Sequence, residues 1–193
     1  TTAAIPAGAG TGHRMDTTAL ALALTGIDSG TATVVATAGT TGTGSIDPLP
    51  EIAVLAAERR AWLHVDAAYG GGALFSDRLA PLLAGLDRAD SIALDLHKIG
   101  WQPVPAGVFL AADDRRFAPL ALNAGYLNPV DDEAAGYHSL LGQSLRTTRR
   151  ADAFKIAVTL RAVGRIGLGE RLDRCHDLAR YAAEVISVQP RLR

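Results

Sequence analysis

Three short apolar runs, beginning at residues 31, 61 and 91, constrain this chain more than any other feature. They read "TATVVATAG" (31–39), "AWLHVDAAY" (61–69) and "SIALD" (91–95). Each is short; the first is rich in β-branched residues and bounded by Gly30 and Gly39, and each predicts a buried strand. "LPEIAVLAAERR" (49–60), with Pro48 and Pro50 near its start, predicts a helix between the first two. Residues 76–86 read as a helix between the second and third. "DTTALALALTG" predicts an earlier helix capped by Asp16. Strand, helix, strand, helix, strand is the pattern of a parallel sheet with right-handed crossovers. "AGVFLAAD" (106–113) predicts a fourth strand, residues 1–12 a strand end and loop, and 114–147 a loop-rich segment. Amphipathic helices follow at 151–165 and 169–187.

The chain's 193 residues suffice for one real core. A net charge of −1 offers nothing to nucleic acid or an anionic membrane. No apolar run approaches the roughly 20 residues of a membrane span. The single cysteine, Cys175, excludes an internal disulfide and makes a reducing cytoplasm the default. It lies in a helical pattern and reads as a packed thiol. The chain opens on "TTAAIPAGAG", without initiator methionine or signal peptide, and stops at "ISVQPRLR". Both ends read as cuts in a longer protein.

Parallel strands end on a common edge, so the loops after them line one crevice, the usual ligand site of an open α/β sheet. Here those loops carry Thr40 and Thr41, then Asp66, then Asp95, His97 and Lys98. Each has a plainer reading. "GTTGTG" lacks the GK[ST] ending of a nucleotide loop and also suits a turn. Asp66 also suits a helix cap, and Lys98 a strand-end lysine reaching to solvent. His64 and His97 have no third ligand at metal spacing, so no metal is expected. The G-x-S-x-G of a serine hydrolase is absent. One chemistry uses a strand-end lysine and aspartate together. The amine condenses with an aldehyde cofactor, forming a Schiff base. If the aldehyde is pyridoxal phosphate, a carboxylate keeps its ring nitrogen protonated so that the ring accepts electrons. Its phosphate takes backbone N–H groups and hydroxyls.

The blocks "TAGTTGTGSIDPL", "WLHVDAAYGG", "ADSIALDLHKIGWQPVPAG" and "SLRTTRRADAFKIAVTLRAVGRIGLG" together resemble the group II pyridoxal-phosphate-dependent amino-acid decarboxylases. They stand in family order over about residues 31–169. "DLHKIGWQPV" and "YLNPVDDEAAG" look most like bacterial lysine or diaminobutyrate decarboxylases of siderophore pathways. The resemblance implies a partial fold-type I large domain, a mostly parallel sheet flanked by helices, with pyridoxal 5′-phosphate as cofactor. It implies Lys98 as the Schiff-base lysine, Asp66 on the pyridine nitrogen, Ala68 close to the ring and Thr41 as a polar cofactor contact. His97 would sit beside the phosphate and the reacting centre. Asp95 stands where some relatives have asparagine near the phosphate, and an acid there must point away or be paired. Tyr126 matches a loop tyrosine that protonates the carbanion once carbon dioxide has left. Arg149 and Arg150 match an arginine pair whose expected role is structural.

The family enzymes are longer, and neither their ring-stacking residue nor their small-residue phosphate loop is found before residue 31. Residues 1–150 therefore read as the C-terminal half of the cofactor-binding large domain, and 151–193 as helices leading toward a small domain. The expected partners are a small amino-acid substrate and, in the intact enzyme, a second identical subunit. Two readings compete: another fold-type I enzyme (a β-elimination lyase or aminotransferase-like protein), and a non-catalytic remnant.

Overall fold

The computed structural model describes residues 2–121, 126–127, 129–137, 139–143 and 146–191. Each apolar run forms a five-residue strand: β1 (Thr33–Thr37), β2 (Trp62–Asp66) and β3 (Ser91–Asp95). They pair in parallel and in chain order, Thr37 opposite Asp66 and Asp66 opposite Ala93. Their C-terminal ends therefore lie on one edge. Burial is one-sided rather than complete. Val34, Ala36, Leu63 and Val65 are buried, while on the other face Val35 is 54% exposed.

Two helices cover the buried face. In α1 (Thr17–Thr25), Asp16 Oδ1 accepts the N–H groups of Thr18 and Ala19 at 2.9 and 3.0 Å, satisfying donors that a helix start leaves unpaired. Leu20 and Leu24 point inward. In α2 (Leu49–Glu58), Pro50 sits in the first turn, where its missing N–H costs nothing. Leu49, Ile52, Ala53 and Ala56 form a stripe at helical spacing and pack into the same core as the strands.

The fourth strand, β4 (Gly107–Ala111), runs antiparallel to β3. Residues 96–106 separate them, too few for a crossover helix and broken by Pro103 and Pro105, so the chain turns straight back. Residues 1–12 hold no strand among those described, only a 3₁₀ turn at Ala9–Thr11. After a 3₁₀ turn at Gly70–Phe75, the predicted helix at 76–86 is replaced by 3₁₀ turns at Ala80–Leu83 and Leu86–Arg88. Pro81 removes a donor there, and Gly85 takes φ +90° where a Cβ would stand 2.7 Å from the backbone nitrogen of Pro50. A short helix, α3 (Val130–Ala134), interrupts the loop-rich segment.

Glycines 70–72 let the chain cross over the strand ends. A Cβ on Gly70 would overlap the Ala38 carbonyl. One on Gly71 would stand 2.9 Å from Leu94 Cβ, and one on Gly72 2.9 Å from Ile99 Cβ. Gly72→Ala should therefore cost about 1–3 kcal/mol, as an overpacked core position does. It should also displace Ile99, the neighbour of Lys98. Urea denaturation of the full-length variant measures this; an unchanged midpoint would mean that the turn yields freely.

The two C-terminal helices together span Asp152–Ser187, called α4, and part at Gly164 rather than at 166–168. Gly164 has φ 72° and ψ 168°, a region essentially closed to side-chain-bearing residues. The part beyond the break docks on the 75–78 turn. Leu168 and Leu172 are buried, and Ser76 Oγ donates to Asp173 Oδ1 at 2.5 Å. Arg78 bonds Asp173 and Asp177, and Arg165 bonds Asp77 at 2.6 Å. Cys175, expected to be packed, is exposed, because this helix offers only its Leu168/Leu172 face to the body.

That clasp should be acid-sensitive. The side-chain hydrogen bond from Arg165 holds Asp77 below the usual carboxylate range, and that from Arg78 does the same for Asp177. Both carboxyls titrate lower when folded than when unfolded. Their contribution is thus complete above the ordinary aspartate value of about 3.9 and lost as pH falls through the lower folded values. Amide protection over 165–187, corrected for intrinsic exchange, should be equal at pH 7 and 5. It should fall below about pH 4, ahead of the sheet. Loss together with the sheet would show that the exposed pairs contribute nothing of their own.

Candidate active site

At the end of β2, Asp66 is exposed, and its Oδ1 accepts the Ala68 N–H at 2.9 Å. This pins the turn and leaves a second carboxylate oxygen; among the described residues no cation pairs with Asp66. Half-buried Ala68 accepts the Asp95 N–H through its carbonyl at 3.3 Å, tying the second loop to the end of β3. Asp66 stands opposite Ala93, and Asp95 lies two residues beyond it, so both carboxylates belong to one face of the sheet.

Beyond β3 the chain folds back on itself: the Lys98 N–H donates to Asp95 O at 3.0 Å and the Leu96 N–H to Ala106 O at 2.8 Å. This turn places Lys98 Nζ 3.0 Å from Asp95 Oδ2, the lysine exposed and the aspartate half-buried. His97 Nε2 faces the same oxygen at 3.8 Å. The Ala106 N–H donates to His97 Nδ1 at 3.1 Å. Nδ1 is therefore an acceptor, and the proton of the neutral ring sits on Nε2, toward Asp95. Lys98 is thus not a lysine merely reaching into solvent; it has a partner, and Asp95, which had to point away or be paired, is paired.

In the first loop, Thr40 and Thr41 divide the work. Thr40 Oγ1 bonds Thr43 Oγ1 at 2.7 Å and accepts the Ser45 N–H at 3.1 Å, so it holds the loop. Thr41 is exposed, its hydroxyl not used for that purpose. Asp47, which sequence reasoning passed over, is the loop's anchor. It is 8% exposed; its Oδ1 accepts the Met15 N–H and its Oδ2 the Thr37 N–H, each at 2.7 Å. The signal was an aspartate before Pro48 inside the "TAGTTGTGSIDPL" block. The Gly70 N–H donates to Ala38 O at 3.0 Å, joining the first loop to the second.

Tyr126 is not brought to this group. It is 86% exposed and bonds no other described residue; residues 122–125 and Asn128 beside it lie outside the described residues. His64 is structural: its Nδ1 bonds Ser91 Oγ at 2.8 Å and its ring stacks on Phe109. Among the described residues no three His, Cys, Asp or Glu side chains cluster at metal-binding distance. No described helix is long and apolar enough to cross a membrane. Arg150 pairs with Asp152 at 3.3 Å, and Arg149 donates to Leu140 O at 2.6 Å, as structural residues do.

The side chains present fit pyridoxal phosphate. Lys98 can offer an amine to its aldehyde, Asp66 an uncompensated carboxylate to its ring nitrogen, and the threonine loop hydroxyls to polar groups. Comparison with known proteins agrees. The model of the pyridoxal-dependent decarboxylase conserved domain matches residues 11–193. L-2,4-diaminobutyrate decarboxylase of Rhizobium meliloti (strain 1021) is 53% identical over 156 residues, 81% of this chain and 31% of that protein. The acidic amino acid decarboxylase GADL1 of Bos taurus is 40% identical over 79% of the chain and 30% of its own length. Oryza sativa TDC, solved with PLP and tryptamine, superposes with a TM-score of 0.79 at 30% identity, over 87% of this chain and 35% of that one. The chain thus spans about three-tenths of the length of the relatives it matches. A lysine and an aspartate at the ends of neighbouring parallel strands, within blocks that match along almost the whole chain, belong to one lineage: the chain is a member of the pyridoxal-dependent decarboxylase family.

Proposed function

We propose that the full-length protein decarboxylates an amino acid to its amine, with pyridoxal 5′-phosphate as cofactor. The observation that carries this is the placing of Asp66 and Lys98 on one edge of adjacent parallel strands, stitched together by the Asp95 N–H to Ala68 O bond. When bound, the cofactor supplies a sink for the electron pair that the departing carboxylate leaves behind. Lys98 anchors its aldehyde and must leave Asp95 to do so. Asp66 holds a proton at the ring nitrogen by Coulomb attraction, Ala68 leaves room for the ring, and Thr41 offers a hydroxyl. His97, its Nε2 facing Asp95, sits beside the phosphate and the reacting centre in this reading. Tyr126 returns a proton to the substrate α-carbon, a task His97 or Lys98 performs through water if Tyr126 does not. The proposed substrate is L-2,4-diaminobutyrate, the amino acid named for the 53% identical relative. In this reading residues 1–150 belong to the cofactor domain of a cytoplasmic homodimer. Residues 151–193, hinged at Gly164, lead toward a further domain.

The test is carbon dioxide and amine formation by the full-length protein from L-2,4-diaminobutyrate, with and without pyridoxal 5′-phosphate. Equal amounts of both products, dependent on the cofactor, are expected; no product from any amino acid would overturn the reading. Tyr126→Phe should keep carbon dioxide loss but slow reprotonation by about 10²–10⁴-fold, so that amine lags behind carbon dioxide. Matched yields at the original rate would reassign the proton to His97.

A further inference from the structure

The peptide that joins Pro105 to Ala106 is held from both sides. Its N–H donates to His97 Nδ1 at 3.1 Å. Its carbonyl accepts the ammonium of Lys155. Both bonds belong to one planar amide, whose C=O and N–H point in opposite directions. Lys155 comes from the first turn of α4, 50 residues further along the chain. Ile156 beside it packs against the core and pins the start of that helix. The Lys155 side chain is 22% exposed, its head turned onto a loop carbonyl rather than out to water. Asp152 Oδ1 lies 3.1 Å from the same ammonium and 3.3 Å from Arg150, so one negative charge is shared between two cations.

An ammonium on a carbonyl oxygen polarises the amide and makes its N–H a stronger donor. Here that donor keeps Nδ1 of His97 bare and the ring's proton on Nε2. Nε2 faces Asp95 Oδ2, the oxygen that also holds Lys98. Once Lys98 leaves Asp95, an N–H of His97 still faces that carboxylate. With the proton on Nδ1 instead, a bare nitrogen would face it, lone pair against lone pair.

From this geometry we infer that Lys155 is a positioning residue for the reaction: through the Pro105–Ala106 peptide it fixes the orientation and the proton of the His97 ring. Its task presupposes His97 at the reacting centre, as in the proposed function. Lys155 itself acts from the outer side of the loop, through a backbone group, and through no side chain of the site other than His97. The start of α4 is thereby tied to the turn that carries His97 and Lys98.

Nitrogen NMR of the full-length protein, labelled with ¹⁵N-histidine, tests it at about pH 8, above the usual histidine range. The His97 resonances are assigned by their loss in His97→Gln. Bare and protonated ring nitrogens differ widely in shift. The parent and Lys155→Arg should show Nδ1 bare and Nε2 protonated. Lys155→Met keeps the stem without the charge, and should draw the two shifts together as the proton spreads over both nitrogens. Turnover should fall by about 10–100-fold in Lys155→Met, as when a metal-bound histidine loses the group that orients it, and recover in Lys155→Arg. In the His97→Gln background, Lys155→Met should change turnover by less than about twofold, because the two residues act as one unit. Asp152→Asn removes the ion pair of the helix start but leaves the ammonium on Pro105 O, and should keep turnover within about twofold. An unchanged His97 spectrum in Lys155→Met, an equal loss in Asp152→Asn, or a full further loss in the His97→Gln background would each overturn the role. The spectrum needs no turnover, so this role and the decarboxylase reading fail separately.

Discussion

Lys98→Ala in the full-length protein should abolish carbon dioxide release by at least about 10⁴-fold, the scale on which a covalent catalytic group acts. The fold should survive. The side chain is 38% exposed, and among the described residues its ion-pair partner is Asp95 at 3.0 Å, a half-exposed pair worth about 0–1 kcal/mol. Lys98→Arg can keep that pair and so separates structure from chemistry. Its guanidinium stays protonated and cannot condense with an aldehyde, so turnover should be as low as in the alanine variant. Borohydride reduction of the cofactor-loaded protein should fix the cofactor's mass on the Lys98 peptide of the parent and on neither variant. Near-normal turnover in Lys98→Arg would end the assignment.

Asp66→Asn should have the second-largest effect. Its amide oxygen can still accept the Ala68 N–H, so the turn after β2 is kept and only the charge is removed. Turnover should fall by roughly 10²–10³-fold, the cost of deleting one preorganised electrostatic partner. Cofactor affinity, read from visible absorbance, should fall as well. A wild-type rate and affinity would mean that another group holds the ring nitrogen's proton, and the uncompensated charge of Asp66 would need a different explanation.

The site was legible where chemistry and strand order coincide. Asp66 and Lys98 could be placed on one edge because three buried runs separated by helical patterns leave a parallel sheet as the economical arrangement, and parallel strands share an end. Asp95 was ambiguous, since a sequence cannot say whether an acid points at a ligand or at its neighbour. Its pairing with Lys98 and its approach to His97 depend on the turn that β4 imposes by running back antiparallel. Asp47 was missed because its role is to accept two backbone N–H groups from Met15 and Thr37, a relation between segments that shows in no local pattern.

The sequence by itself determined the strands, the capped helix after Asp16, the alanine-rich α2, the order of the motif blocks and the residues able to do the chemistry. These follow from side-chain periodicity and residue type, which act over a few neighbours. Only the tertiary structure decided the rest. Two 3₁₀ turns stand where a helix was expected at 76–86, because Pro81 removes a donor and Gly85, at φ +90°, lies against the backbone of Leu49 and Pro50. The break in α4 fell at Gly164, with the following helix clasped to Ser76 and Arg78. Lys98 was aimed at Asp95, and an arginine was held in a glycine's conformation at the far edge of the sheet. Each depends on contacts between residues distant in the chain, whose geometry exists only once the sheet has formed.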